Sequence, residues 1–361
     1  MSARTPSDYD RGVVGISLLT LVPGELGGSE TYVRELLRSL GRVGELDYRV
    51  LLPPVAPDAG EGLPAEVASE YRHARTIRER LFAMGAAAAR PGPLRARLRD
   101  ADVVHYPLTL RIPSVSQPSV VSLLDLQHLD MPQLFSRGER AFRRLAWHRS
   151  IRSADRVIVI SEFVRDRAVE LLGLDPERLR VVHLGIDHER FSPGNAEREP
   201  FLLYPARRWP HKNHERLFEA FAQVREERPG LRLVLTGGGG YASLPDGVEA
   251  LGNLDFAQLP DLYRRASALV FPSLYEGFGQ PVLEAMASNC PVACSNAASL
   301  PEIAATAARL FDPTDPAEIT RAVLDVLAAP EEWAQRGLRR AAEFSWDATA
   351  HAHEAVYREL A

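Results

Sequence analysis

Residues 268–287 press a strand, a glycine turn and a helix start into one short stretch, and few folds accept that order. Ala268-Leu269-Val270-Phe271 is an apolar, β-rich run that reads as a buried strand, and Val282-Leu283-Glu284-Ala285-Met286-Ala287 reads as a helix. Between them Gly277, Phe278 and Gly279 fall at the helix N-terminus. Free backbone N–H groups and the positive end of the helix dipole gather there and attract an anion such as phosphate. Glu276 stands beside that turn, and Glu284 follows eight positions on, about two helical turns along. Two acceptor-only carboxylates next to a phosphate site suit the hydroxyls of a sugar and a ribose.

The same alternation runs through the chain. Apolar runs at 13–19, 50–52, 102–106, 119–124 and 156–160 alternate with helical patterns, the first of which carries Tyr32, Val33, Leu36, Leu37 and Leu40 on one side. A second series begins at Phe201-Leu202-Leu203-Tyr204. It continues with a helix at 216–227, a strand at 231–235 running into Gly237–Gly240, a helix at 259–266 and the opening strand. Alternating strands and helices imply βαβ units and parallel sheets. With 361 residues there is room for two such α/β domains, and ligands in such sheets bind outside the carboxyl ends of the strands. Two domains facing each other would make a cleft, the usual place for a substrate. The segment 187–200 is polar, holds Pro193, Gly194 and Pro200, and reads as the linker.

Composition narrows the class. A net charge of −5 gives no global argument for nucleic acid. No apolar run approaches the roughly 20 residues that span a bilayer, and residues 1–10 lack the apolar core of a signal peptide, so a cytoplasmic protein is expected. Cys290 and Cys294 have no further ligands nearby and read as buried thiols, not a metal site. Residues 53–70 are Pro/Gly-rich and expected to form a mobile loop. Arg72, Arg75, Arg78, Arg80, Arg90, Arg95, Arg97 and Arg99 face Glu79 alone within 72–99, a charge balance suited to an anionic membrane surface or to a solvated helix face. The same two readings cover Arg137, Arg140, Arg143, Arg144, Arg149 and Arg152.

Three further clusters bear on chemistry. Ala206-Arg207-Arg208-Trp209-Pro210-His211-Lys212-Asn213-His214 follows a strand on the same loop edge as Glu276. Arg207 offers a planar fork for phosphate oxygens and Lys212 a point charge, and together they suit a leaving diphosphate. Gly27-Gly28 precedes the first helix and allows close backbone approach to a phosphate, but there is no G-x-G-x-x-G, which argues against a standard NAD site. Asp125 and His128 follow a strand and read either as groups acting on an acceptor hydroxyl or as a hydrogen-bonded loop. His105 ends a strand with the same ambiguity, and His183 reads as structural.

With these residues the chain resembles the family-four glycosyltransferases, retaining enzymes of GT-B architecture. The likeness runs from Gly27-Gly28-Ser29-Glu30-Thr31-Tyr32 through 154–162 and Gly185-Ile186-Asp187, with Phe191 and Pro193. It continues through Pro210-His211-Lys212-Asn213-His214, the E-x7-E turn and Ser299-Leu300-Pro301-Glu302 to Phe344-Ser345-Trp346. The resemblance implies two Rossmann-like parallel-sheet domains facing a cleft. Residues 1–192 would bind the acceptor, 193–345 the nucleotide sugar, and a helix in 346–361 would cross back to the first domain. It implies that Arg207 and Lys212, with Gly28, hold the donor diphosphate. Glu276 would bind the transferred sugar, the N–H groups around Gly277, Phe278 and Gly279 would face sugar and phosphate, Glu284 would bind the ribose, and Asn253 would lie near the base. It implies no metal and no cofactor, with the donor phosphate itself taking the acceptor proton.

One departure stands out. The family often carries His-Asp where this chain has Leu124-Asp125, and that histidine is expected near the C6 hydroxyl of the donor sugar. Leucine packs against a methyl group instead, which suggests a 6-deoxy sugar. Two other readings keep the fold: an epimerase or phosphorolytic enzyme acting on the sugar nucleotide without an acceptor, and a non-catalytic sugar-nucleotide-binding subunit. An envelope polysaccharide, a lipid-linked sugar and a secondary metabolite all stand as acceptors.

Overall fold

The computed structural model describes residues 12–24, 27–72, 77–241 and 243–361. The polar stretch 1–10, Glu25-Leu26 and Arg75 lie outside the described residues. The chain divides into two compact units. Unit 1 comprises 1–184 with 346–361, and unit 2 comprises 185–345.

Unit 1 is built on β1 (Val13–Ser17), α1 (Gly28–Val43), β2 (Asp47–Leu52), β3 (Ala65–Val67), α2 (Ile77–Ala89), α3 (Gly92–Ala96), β4 (Val103–Tyr106), β5 (Ser119–Leu123), α4 (Gln127–Asp130), α5 (Arg137–Phe142), α6 (His148–Ser153), β6 (Arg156–Val159), α7 (Glu162–Leu172) and β7 (Leu179–Val181). Its seven strands pair in parallel in the order β3-β2-β1-β4-β5-β6-β7. The central strands are buried along their length, as the continuous apolar runs require. On α1 the residues Tyr32, Val33, Leu36, Leu37 and Leu40 are all buried. Residues 53–70, read as a loop, also hold the edge strand β3, and Ala56, Ala59 and Ala68 within them are fully buried. Every residue of β3 is exposed, so it carries no apolar run by which to be read.

Unit 2 holds β8 (Glu199–Pro205), α8 (His214–Glu227), β9 (Arg232–Thr236), β10 (Val248–Ala250), α9 (Leu259–Arg265), β11 (Ala266–Phe271), α10 (Gln280–Ala287), β12 (Val292–Ser295), α11 (Leu300–Ala304), β13 (Arg309–Phe311), α12 (Pro316–Ala328) and α13 (Pro330–Ala341). Its six strands are also parallel, in the order β10-β9-β8-β11-β12-β13. Strand order therefore reverses between β8 and β11, the kind of switch point at which such sheets bind ligands. Cys290 and Cys294 are buried free thiols.

The boundary between units falls at 184/185, earlier than the 192/193 that the polar linker suggests. Residues 185–192 pack on unit 2 for identifiable reasons. Phe191 meets the Tyr263 ring edge-on at 6.0 Å, Arg264 Nε donates to the Ser192 carbonyl at 2.8 Å, and Gln280 Nε2 donates to the Gly185 carbonyl at 2.9 Å.

The chain returns to unit 1 with α14 (Trp346–Arg358), which packs on α1. Glu354 Oε1 accepts from the backbone N–H of Glu45 and Leu46, each at 2.7 Å. His353 Nε2 is hydrogen-bonded to the Tyr32 hydroxyl at 2.8 Å, and the Tyr357 hydroxyl to His105 Nδ1 at 2.8 Å. Among the described residues no helix is long and apolar enough to cross a membrane.

Candidate active site

In unit 2 the loop after β8 and the loop after β11 meet at the switch point. Asn213 fixes the first of them. It takes a left-handed backbone (φ 62°), is buried, and its Nδ2 donates to the carbonyls of Pro272 at 3.1 Å and Pro313 at 2.7 Å. The Leu274 N–H donates to the His211 carbonyl at 2.8 Å, and the Tyr204 hydroxyl donates to the Lys212 carbonyl. With its backbone held from both sides, Lys212 places Nζ 2.5 Å from Glu276 Oε1, and both side chains are largely buried. Either charge unpaired would be costly at that depth, and the contact gives each a partner.

Glu276 leads directly into the glycine turn. Gly279 has φ 113° and stands at the N-cap of α10, where a Cβ would lie 2.6 Å from Leu300 Cδ2. Only glycine fits both the torsion and the space. The Ser299 hydroxyl lies 3.0 Å from the Glu276 carbonyl and 2.7 Å from the Phe278 carbonyl, tying down the turn. Phe278 is buried, edge-on to Phe344 at 6.1 Å. Glu284 lies in the second turn of α10 and is buried, with Oε2 accepting from the Tyr263 hydroxyl at 2.8 Å. Burial raises its carboxyl to about 7, against a smaller downward pull from the Tyr263 hydrogen bond.

The rest of the donor set is more open. Arg207 is exposed, its guanidinium over the Trp209 ring at 5.5 Å, and Asn253 is exposed beyond Gly252. Gly237 abuts the base of the basic loop: a Cβ there would come within 3.2 Å of the Ala206 and Arg207 backbone. His211 and His214 are buried and held neutral, each lowered to about 4, by desolvation first. Tyr263 carries no signal in the sequence, and Ser299 and Gly237 carry none of their own beyond the segments that hold them.

In unit 1, Gly28 opens α1 behind Gly27 (φ 53°). Asp125 Oδ1 accepts from the Gln127 N–H at 3.0 Å and lies 4.0 Å from the Arg143 guanidinium. Of the two readings open to His128 and His105, both side chains have the burial and hydrogen bonds of the structural one. His128 is only 2% exposed, its Nε2 3.2 Å from His148 Nε2, and burial lowers it to about 4. His105 is fully buried on β4, hydrogen-bonded to Ser122 at 2.8 Å and to Tyr357, and burial pushes it well below the ordinary histidine range. Both imidazoles are held neutral by burial, which makes them poor proton carriers near neutral pH, while His128 Nδ1 is left without a hydrogen-bond partner.

The glycosyl transferases group 1 family model matches residues 185–342, and the glycosyltransferase family 4 model matches residues 26–190. O-antigen chain mannosyltransferase B of Escherichia coli is 28% identical over 278 residues, 69% of this chain and 73% of that protein. The MMP alpha-(1->4)-mannosyltransferase of Mycolicibacterium hassiacum is 35% identical over 204 residues, 52% of this chain and 50% of its own length. The chain thus spans about half to three quarters of these relatives. Among solved structures, sucrose-phosphate synthase from Thermosynechococcus elongatus has the same fold, with TM-score 0.77 at 22% identity over 97% of this chain and 99% of that one. HepE of Anabaena, solved with UDP and glucose, gives TM-score 0.71 at 16% identity over 97% and 100%. One family model takes most of unit 2 and the other most of unit 1, and the chain belongs to the family-four, group 1 glycosyltransferases.

Proposed function

We propose that this protein transfers a hexose or 6-deoxyhexose from a nucleoside-diphosphate sugar to an acceptor hydroxyl, with retention at the anomeric carbon. The observation that carries the reading is the Lys212–Glu276 pair, 2.5 Å apart beside the Gly279 helix start at a strand-order switch point. A cation, a carboxylate placed to bind a sugar and the N-terminus of a helix there suit a glycosyl diphosphate. In this reading Arg207, Lys212 and the backbone of Gly277, Phe278 and Gly279 hold the diphosphate. Glu276 holds the sugar, Glu284 the ribose, and Asn253 borders the base. The acceptor oxygen attacks the anomeric carbon as its bond to the phosphate oxygen breaks on the same face, and that phosphate oxygen takes the proton. Arg207 and Lys212 carry the charge that a metal would otherwise neutralise, so turnover should survive EDTA. The protein acts in the cytoplasm, on a polysaccharide, lipid-linked or small-molecule acceptor. Contact with an anionic membrane falls to 72–99, where Leu81 and Phe82 are exposed and Arg72 lies over the Phe82 ring at 4.6 Å. Sedimentation with anionic vesicles, lost in Phe82→Glu, checks that contact.

The test is a thermal-shift panel of UDP, GDP, ADP and dTDP with their sugars. A ligand that binds only the folded state raises Tm with ln(1 + [L]/Kd). One nucleotide should respond, and Glu284→Ala should lose the response. Silence from all four would overturn the reading. Product formed from donor alone would point to an epimerase, and binding without turnover to a non-catalytic subunit. Comparing GDP-mannose with its 6-deoxy analogue then tests Leu124, and a clear preference for GDP-mannose removes the 6-deoxy assignment.

A further inference from the structure

We propose that Arg143 is the centre of a second anion subsite, in unit 1, that takes the phosphate group of a phosphorylated acceptor. Arg143 opens a single π-helical turn, Arg143–Trp147, between α5 and α6. Single π-turns inside helices are frequent at functional sites. Its guanidinium lies over two aromatic rings, 4.6 Å from the Phe135 centroid and 4.3 Å from the Trp147 centroid. The rings engage its faces and strip water from it, leaving the N–H edge as the part that recognises an in-plane acceptor. The side chain keeps 23% of its surface exposed. Asp125, the carboxylate beside it, stands at 4.0 Å, beyond hydrogen-bond length.

The surroundings repeat the signal. Residues 135–153 hold Arg137, Arg140, Arg143, Arg144, Arg149 and Arg152 against Glu139 alone, in a chain whose net charge is −5. Next to this set, His128 Nδ1 is buried without a hydrogen-bond partner, and so is Arg140 Nε one helical turn before Arg143. Two orphaned donor-capable groups and a desolvated guanidinium in one place fit a multidentate oxyanion better than a neutral hydroxyl. Asp125 links the subsite to the loop after β5, where the sequence places an acceptor candidate, so the bound phosphate would position the rest of the acceptor. That last role rests on the transferase reading, but phosphate binding does not.

The four tryptophans give four indole N–H signals, so Trp147 is resolved by NMR and assigned with Trp147→Phe. Inorganic phosphate is titrated into the full chain carrying Arg207→Ala and Lys212→Ala, which removes the cations of the donor loop. The Trp147 signal should shift with phosphate. Arg143→Gln should weaken that response roughly tenfold or more, and Arg143→Lys, which keeps charge without the fork, should fall between. If Arg143→Gln does not fold, as the other three indole signals report, Arg143→Lys carries the test. Glucose 1-phosphate and phosphatidylglycerol vesicles separate a soluble phosphate from a lipid headgroup, and either one shifting Trp147 supports the subsite. No Trp147 shift with any of the probes, or a shift that the Arg143 variants leave unchanged, overturns it. Donor turnover by the unsubstituted protein is measured alongside, so loss of the subsite and loss of the transferase reading are told apart.

Discussion

At the scale of single residues, Glu284 is the most consequential group. Its carboxyl is raised to about 7 by burial, so the folded state favours the protonated form more than the unfolded chain does. Its contribution to stability is full below about 4.5 and is lost as pH rises through about 7, at up to about 1.4 kcal/mol per pH unit. Ribose hydroxyls prefer the ionised carboxylate, so nucleotide affinity should rise with pH across the same window. Glu284→Gln should flatten both profiles and weaken binding roughly tenfold or more, since hydrogen bonds to a charged group are the stronger kind. Calorimetric titrations between pH 6 and 8 check this, and an unchanged slope in the variant would remove Glu284 from the nucleotide site. Carboxylates, arginine and lysine announce their chemistry by residue type, so Glu276, Glu284, Arg207 and Lys212 stand out in the sequence as candidates, and the fold brings Lys212 and Glu276 into contact. Burial does not announce itself. His105 and His128 look like any polar residue at a strand end, and the Tyr263 hydroxyl becomes a partner of Glu284 only through the packing of α9 on α10.

At the scale of elements, the strand–turn–helix from β11 to α10 is over-determined by one glycine. Gly279→Ala would force a non-glycine residue to φ 113° and press its Cβ against Leu300. Such strain costs about 1–3 kcal/mol. Unit 2 should therefore melt roughly 2–12 °C lower, and the backbone proposed to hold the diphosphate should be displaced. A calorimetric scan with and without the responding nucleotide tests this, and unchanged melting and binding would show that the turn relaxes freely. The elements themselves were legible where burial is continuous, as in β1, β4, β5 and β11. The short strands β3 and β10 carry exposed or half-exposed residues and no apolar run, so the pattern that marks the others is absent from them.

At the scale of the whole molecule, acid is the expected weakness. His105, His128 and His353 in unit 1, and His211 and His214 in unit 2, are all buried and held neutral. Each has a folded pKa below its ordinary 6.5. The stability they support is present above about 6.5 and is lost as pH falls towards about 4. His353→Gln should be less stable than the parent at pH 7.5, having lost part of the bond to Tyr32, yet should lose less between pH 7.5 and 5. Equal losses in both proteins would mean that His353 ionises without consequence. The two-unit plan was legible from the repeated alternation of strands and helices, but the join was not. A polar stretch rich in proline reads as a linker, while Phe191 and the Ser192 carbonyl bind it to α9.

Unit 1 is discontinuous in the chain, and that sets an order for its birth on the ribosome. Its sheet is complete once β7 has been made, but Tyr32, His105 and the N–H groups of Glu45 and Leu46 wait for α14. All of unit 2 is translated in between, on the order of ten seconds at common elongation rates. Unit 2, being contiguous, can close first. The nascent chain therefore holds a unit 1 that lacks the α14 contacts of Tyr32, His105, Glu45 and Leu46 until Tyr357 clears the exit tunnel.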